Sequence, residues 1–209
     1  MSMATTEKHK SHSNCVVNLK TREVMEILES TEGNWEKHFY VRFTIPAGVP
    51  GPPLHYHLKC KERFLVEQGE LEFVLGRNQT RRVLAAGESL EVLPGELHGF
   101  RNSSTREVVV QLVVSPGRQF EQFIRGWYAL GANGMMNEMG IPRNPLVLAQ
   151  LMIWSDVNYP GVPTIFLRFL LGLLAETGRL LGVDSVIRRA VPWNPHEPQS
   201  KVQGGDNRA

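Results

Sequence analysis

Four residues of this 209-residue chain have the types and spacing to hold a metal ion: His55, His57, Glu62 and His98. His55 and His57 lie two apart, so on a strand both imidazoles share one face. Glu62 follows His57 at an odd offset, which a straight strand would send to the opposite face. A turn through residues 58–61 brings it back towards the histidines on the next strand. His98 comes after a further strand-like run and the turn Pro94-Gly95. Three imidazoles and one carboxylate suit a borderline divalent ion and leave room for water or a substrate.

Such a site needs a frame, and the flanking sequence predicts β-structure. Phe39, Val41, Phe43 and Ile45 alternate with Tyr40, Arg42 and Thr44, the period of a half-buried strand. A break rich in proline and glycine follows at 46–53. Further strand-like runs occur at 63–68, 70–75, 81–84, 89–93 and 108–114. Gly69, Gly76 with Asn78, Gly87 and Asn102 with Ser103 mark turns between them. Many short strands at even spacing predict a sandwich or barrel, not a parallel sheet with crossover helices. After Pro116 the period lengthens. Phe120, Phe123, Ile124, Trp127 and Tyr128 fall on one helical face, 146–154 is a second apolar run, and 164–181 is the strongest helix, with Gly182 as its stop. Packing against protein is the expected use of that last stripe; a dimer interface and a membrane surface are the alternatives.

Composition removes several classes of function. The net charge is +2, without a basic block, so no nucleic-acid footprint is expected. Cys15 and Cys60 offer no disulfide framework, which predicts a reducing, cytoplasmic setting. The N-terminal stretch has no apolar signal-peptide core, and no apolar run is long enough to span a bilayer. His9, His12 and His196 sit in polar tails and receive no role, and His38 reads as a strand residue.

The ligand segment resembles the two signature motifs of the cupin superfamily. The first family motif runs His-x-His, three or four residues, Glu, six residues, Gly. Here His55, His57, Glu62 and Gly69 stand at those intervals. The second runs Gly, five residues, Pro-x-Gly, two residues, His, three residues, Asn, matched by Gly87, Gly95, His98 and Asn102. Leu93 replaces the family proline, with Pro94 one place later, and the glycine that opens the first motif is displaced. Neither departure touches a ligand. The resemblance covers residues 37–115. Within the superfamily the chain is similar to single-cupin proteins whose helical C-terminal extension carries an Arg-Leu-Leu-Gly segment, here 179–182.

The resemblance implies a mainly β fold, a single antiparallel β-barrel of the cupin or jelly-roll kind with C-terminal α-helices. The expected organisation is a disordered arm at 1–17, the cupin barrel at 18–116, a helical extension at 117–191 and a disordered tail at 192–209. It implies one divalent metal ion on His55, His57, Glu62 and His98. Fe(II) is favoured; Mn, Ni, Zn and Cu are the alternatives. It also implies a homodimer. The expected function is a metal-dependent enzyme acting on a small, largely hydrophobic substrate. Oxygenase or oxidoreductase chemistry of a dioxygenase-like kind stands first, and isomerase or cyclase chemistry second; a non-catalytic small-molecule-binding cupin is the competing reading. Glu62 is a ligand and the candidate catalytic base. Phe64, Phe73, Phe100 and Gln111 are the expected substrate pocket. Cys60, between two lysines, is expected in an exposed turn, and Asn102 is expected to form a turn.

Overall fold

The computed structural model describes residues 15–31 and 38–190. In chain order the elements are β1 (Cys15–Val17), β2 (Val24–Glu29), β3 (Phe39–Ile45), β4 (Tyr56–His57), β5 (Lys61–Gln68), β6 (Glu70–Leu75), β7 (Thr80–Ala85), β8 (Ser89–Val92), β9 (His98–Arg101) and β10 (Val108–Ser115). Then come α1 (Arg118–Ala132), α2 (Pro145–Ser155), β11 (Val157–Asn158), α3 (Thr164–Leu180) and α4 (Val183–Ala190). The period-two runs became strands because each has one apolar face to bury. In β3 and β10, buried and half-buried positions alternate along the whole strand.

The strands form an antiparallel six-stranded sheet, β1-β2-β3-β10-β5-β8, a three-stranded sheet, β7-β6-β9, and a two-stranded pair, β11-β4. Among the described residues no ladder closes these sheets into a barrel, which corrects the expected closed form. The physical reason lies in the core. Phe64 of β5 meets Phe73 of β6 and Phe100 of β9, with ring centroids 5.1 and 5.6 Å away. These rings fill the space between the two larger sheets, which therefore pack by side chains rather than by edge hydrogen bonds. Between β5 and β6 the chain first crosses from the six-stranded sheet to the three-stranded one, at the turn at Gly69. Its φ is +81°, and a Cβ there would sit 2.8 Å from the Glu107 carbonyl oxygen, so only glycine fits.

Residues 15–17, expected within a disordered arm, are strand β1 instead. Val16 pairs with Met25 and packs against the core, which gives the segment enough apolar burial to order it. The rest of that arm and the 192–209 tail lie outside the described residues, as do His9, His12 and His196.

Helix α1 docks on the sheet through Phe120, Ile124 and Tyr128, with Tyr128 stacked on Phe43 at 5.7 Å. Asn144 starts α2 by accepting hydrogen bonds from the Leu146 and Val147 amides, with Pro145 at the first helical position. Helix α3 departs from expectation. It buries only Ala175 and Gly178, while Ile165, Phe166, Phe169, Leu173 and Leu180 are exposed. Half-buried Thr164, Leu167, Arg168, Leu171 and Leu174 lie along the same side as Ala175 and Gly178, so most of the broad apolar stripe faces away. No described helix is long and apolar enough to cross a membrane.

Candidate metal centre

The residues just before β4 bridge to the start of β9. The His55 amide donates to the His98 carbonyl at 2.9 Å, and the His98 amide donates back at 2.8 Å. That reciprocal pair sets two imidazoles side by side, with ring centroids 4.3 Å apart. His57 lies one pleat further, its ring edge-on to His55. The chain then turns, and Glu62 enters on the inner face of β5, the face that also carries Phe64 and Val66. The odd spacing between His57 and Glu62 is therefore absorbed by the turn. The Gly95 amide donates to the His57 carbonyl at 2.7 Å, which ties the Pro94-Gly95 turn to the same place. One ligand atom from each of His55, His57, Glu62 and His98 lies within 4.8 Å of the others, and all four side chains are buried.

Each imidazole engages a backbone carbonyl through Nδ1: His55 with Pro53 and His57 with Ser155, both at 2.8 Å, and His98 with Glu96 at 3.1 Å. Nδ1–H donation leaves Nε2 as a lone-pair donor aimed inward. His57 Nε2, His98 Nε2 and Glu62 Oε2 are buried and have no hydrogen-bond partner. Glu62 Oε2 does approach His98 Nε2 to 2.7 Å and His57 Nε2 to 3.5 Å, but as charge proximity without hydrogen-bond geometry. Three orphaned buried polar atoms converging on one point are costly unless something binds there. Three imidazole nitrogens and a carboxylate are the donor set a borderline divalent cation takes. The residues fit such an ion.

The electrostatics agree. Burial pushes His55 down to about 3, with the neighbouring His98 and His57 adding to the effect. Burial also lowers His57, against the pull of Glu62. Burial would raise Glu62, but the surrounding imidazoles, His98 first, outweigh it and hold the carboxyl below its usual range. Burial works to lower His98, but contact with Glu62 outweighs it and the imidazole is raised. Glu62 therefore stays ionised, and His55 and His57 stay neutral, the states that ligation requires, whereas the raised His98 would give up a proton to an incoming ion.

The C-terminal extension reaches this site, which the sequence reading missed. Strand β11 pairs with β4, Val157 opposite His57 and Asn158 opposite Tyr56. Ser155 supplies the carbonyl for His57. Asp156, buried in a left-handed conformation at φ 57°, accepts from the Leu58 and Lys59 amides at 2.8 Å each. Arg168 of α3 pairs with the other oxygen of Asp156. The Tyr56 and Thr164 hydroxyls share a hydrogen bond of 2.8 Å. Nothing local says that the Ser155-Asp156 pair ending α2 docks on a turn about a hundred residues earlier.

The expected pocket divides. Phe64, Phe73 and Phe100 form one aromatic cluster, and Phe64 lies 6.4 Å from His98 by ring centroids. On the other side Phe120 lies edge-on to His57 at 5.8 Å. Gln111 is elsewhere. It sits on the outer face of β10, opposite in parity to Val110 and Leu112, and bonds to Tyr40 and Glu67. Cys60 is buried rather than exposed, and burial, aided by the charges of Asp156 and Glu62, pushes its thiol up to about 12. Asn102 does build its turn, donating to the Ile45, Pro46 and Arg106 carbonyls and accepting from Ser104. His38 is exposed.

Residues 41–115 match the family model of the cupin domain. The chain carries a cupin domain. Among curated proteins, this cupin is 32% identical over 105 residues to one named oxidoreductase iacF from Pestalotiopsis fici, covering 47% of this chain and 50% of that one. It is 32% identical over 149 residues to one named probable oxidoreductase virH from Hypocrea virens, covering 67% of this chain and 66% of that one. The cupin chain thus spans about half the length of the first relative and about two thirds of the second. Among solved structures it resembles an RmlC-like cupin from Shewanella frigidimarina, with a TM-score of 0.43 and 20% identity over 57% of this chain and 96% of that one.

Proposed function

We propose that this cupin is a metal-dependent oxidoreductase, holding one divalent ion on His55, His57, Glu62 and His98 and acting on a small, largely hydrophobic organic substrate. The observation that carries the reading is the convergence of buried, unpartnered Nε2 and carboxylate atoms whose imidazoles are each oriented from behind by a backbone carbonyl. The oxidoreductase names of the two curated relatives support the reaction class. Fe(II) is the favoured ion, because a redox-active metal supplies the one-electron chemistry that oxidation or oxygenation needs. The chain's own residues do the rest. The backbone carbonyls hold the imidazoles in the ligating tautomer, and Phe64, Phe100 and Phe120 exclude water. Glu62 holds its negative charge next to the reacting centre, and a proton would go to the carboxylate oxygen that does not face the ion.

Two experiments test this. Metal analysis of the purified chain should find one equivalent of a divalent ion, and His55/His57/His98→Ala should remove it; full occupancy in that variant sinks the site. The Fe(II)-loaded protein should consume dioxygen only in the presence of a hydrophobic substrate. A second reading, a metal-containing binding module, has one observation in its favour: the four ligand side chains are at most 5% exposed. Tight binding of a ligand that is returned unchanged, with and without air, would select it. The homodimer belongs to this proposal too, and the exposed apolar face of α3 is the surface it would cover.

A further inference from the structure

We propose that Asp156 and Arg168 are positioning residues for the metal centre, so that the helical extension sets how tightly the β-domain holds its ion. The inference rests on the metal reading above and adds to it a role for residues outside the cupin motifs. His57 is held from two directions. Its Nδ1 meets the Ser155 carbonyl at 2.8 Å, and its backbone pairs with Val157. The residue between those two contacts is Asp156. Its left-handed backbone reverses the chain from α2 into β11, which puts the Ser155 carbonyl behind the imidazole and the Asp156 carboxylate under the turn that follows. That carboxylate accepts both the Leu58 and Lys59 amides, and this turn carries the chain from His57 to Glu62. One buried side chain therefore holds the start of the segment between His57 and Glu62. Arg168 holds the second oxygen of Asp156, and α3 thereby braces the arrangement.

Carboxylates and carbonyls behind a ligating imidazole fix its orientation, and their loss lowers metal affinity by roughly 10–100-fold. Here the carboxylate acts on the turn and the carbonyl on the ring, and Asp156 places both.

The test is Co(II) titration of the full-length apo-protein, followed by its visible absorption, with thermal melts of each apo-form. Asp156→Ala is expected to weaken Co(II) binding by 10–100-fold and to change the band shape as the His57 donor shifts. Arg168→Gln, at a half-buried position where folding should survive, is expected to weaken it several-fold, with Arg168→Lys recovering part of the loss. Variants that melt lower without any change in Co(II) affinity or spectrum would make these residues merely structural and overturn the inference. If Asp156→Ala fails to fold, the Arg168 pair decides alone: unchanged affinity in Arg168→Gln overturns the inference. A wild-type chain that takes up no Co(II) fails at the earlier step, the metal reading itself, and is distinguishable because no variant is then needed to see it.

Discussion

At the scale of the residue, burial decides chemistry more than residue type does. Cys15 and Cys60 are both free thiols, yet only Cys15 is exposed. Cys60 is buried, and burial, with the charges of Asp156 and Glu62, pushes its thiol up to about 12, so almost no thiolate forms at neutral pH. A thiol reagent added to the native protein should therefore modify Cys15 quickly and Cys60 only after unfolding. Equal rates at both would contradict the burial. The same reasoning applies to Phe64, which is packed between two rings and beside His98. Phe64→Ala should cost ~3–5 kcal/mol by opening a cavity, and a denaturant titration would measure it.

At the scale of the element, polar side chains pin helices and turns to the sheets. Glu121 of α1 accepts from the Ser30 hydroxyl, the Thr31 amide and the Thr31 hydroxyl, and pairs with Arg125. Burial would raise its carboxyl, but these partners outweigh burial and depress it below the ordinary value of 4.5. A depressed folded pKa means the unfolded chain binds the proton more readily. The stability from Glu121 is therefore complete above about 4.5 and is lost as pH falls through the depressed value. Glu121→Gln should lower stability at neutral pH by ~1.5–3 kcal/mol and flatten its fall on acidification. A melting curve against pH that keeps its acid slope in the variant would assign that slope to other groups. Gly69→Ala tests the inter-sheet turn: positive φ and the clash with the Glu107 carbonyl should cost ~1–3 kcal/mol.

At the scale of the whole molecule, the extension has two unlike faces. One side meets the β-domain through Phe120, Asp156 and Thr164, with Arg168 holding Asp156 from within the extension, while α3 presents Ile165, Phe166, Phe169 and Leu173 outward. Leu173 is 58% exposed, so Leu173→Asp should shift the stability of the single chain by ~0.5 kcal/mol or less. In the proposed homodimer the same change should lower the sedimenting mass to that of one chain. A protein that sediments as a single chain both before and after the substitution would remove the homodimer.

Local pattern alone was enough for much of this molecule. The alternation of β3 and the helical period of α1 were legible because each records which face is buried, and that preference is written at fixed spacing. The cluster of His55, His57, Glu62 and His98 was legible because their side chains come together across short turns, and short turns leave few spacings that allow it. Other features depended on contacts between distant parts of the chain. Strands β4 and β11 are too short to show a period and exist because each completes the other. The outward facing of α3, the burial of Cys60 and the placement of Gln111 on an outer face follow from which surfaces meet, not from residue type. The dependence of His57 on Ser155, Asp156 and Arg168 is of the same kind, since hydrogen bonds across about a hundred residues leave no mark in local sequence.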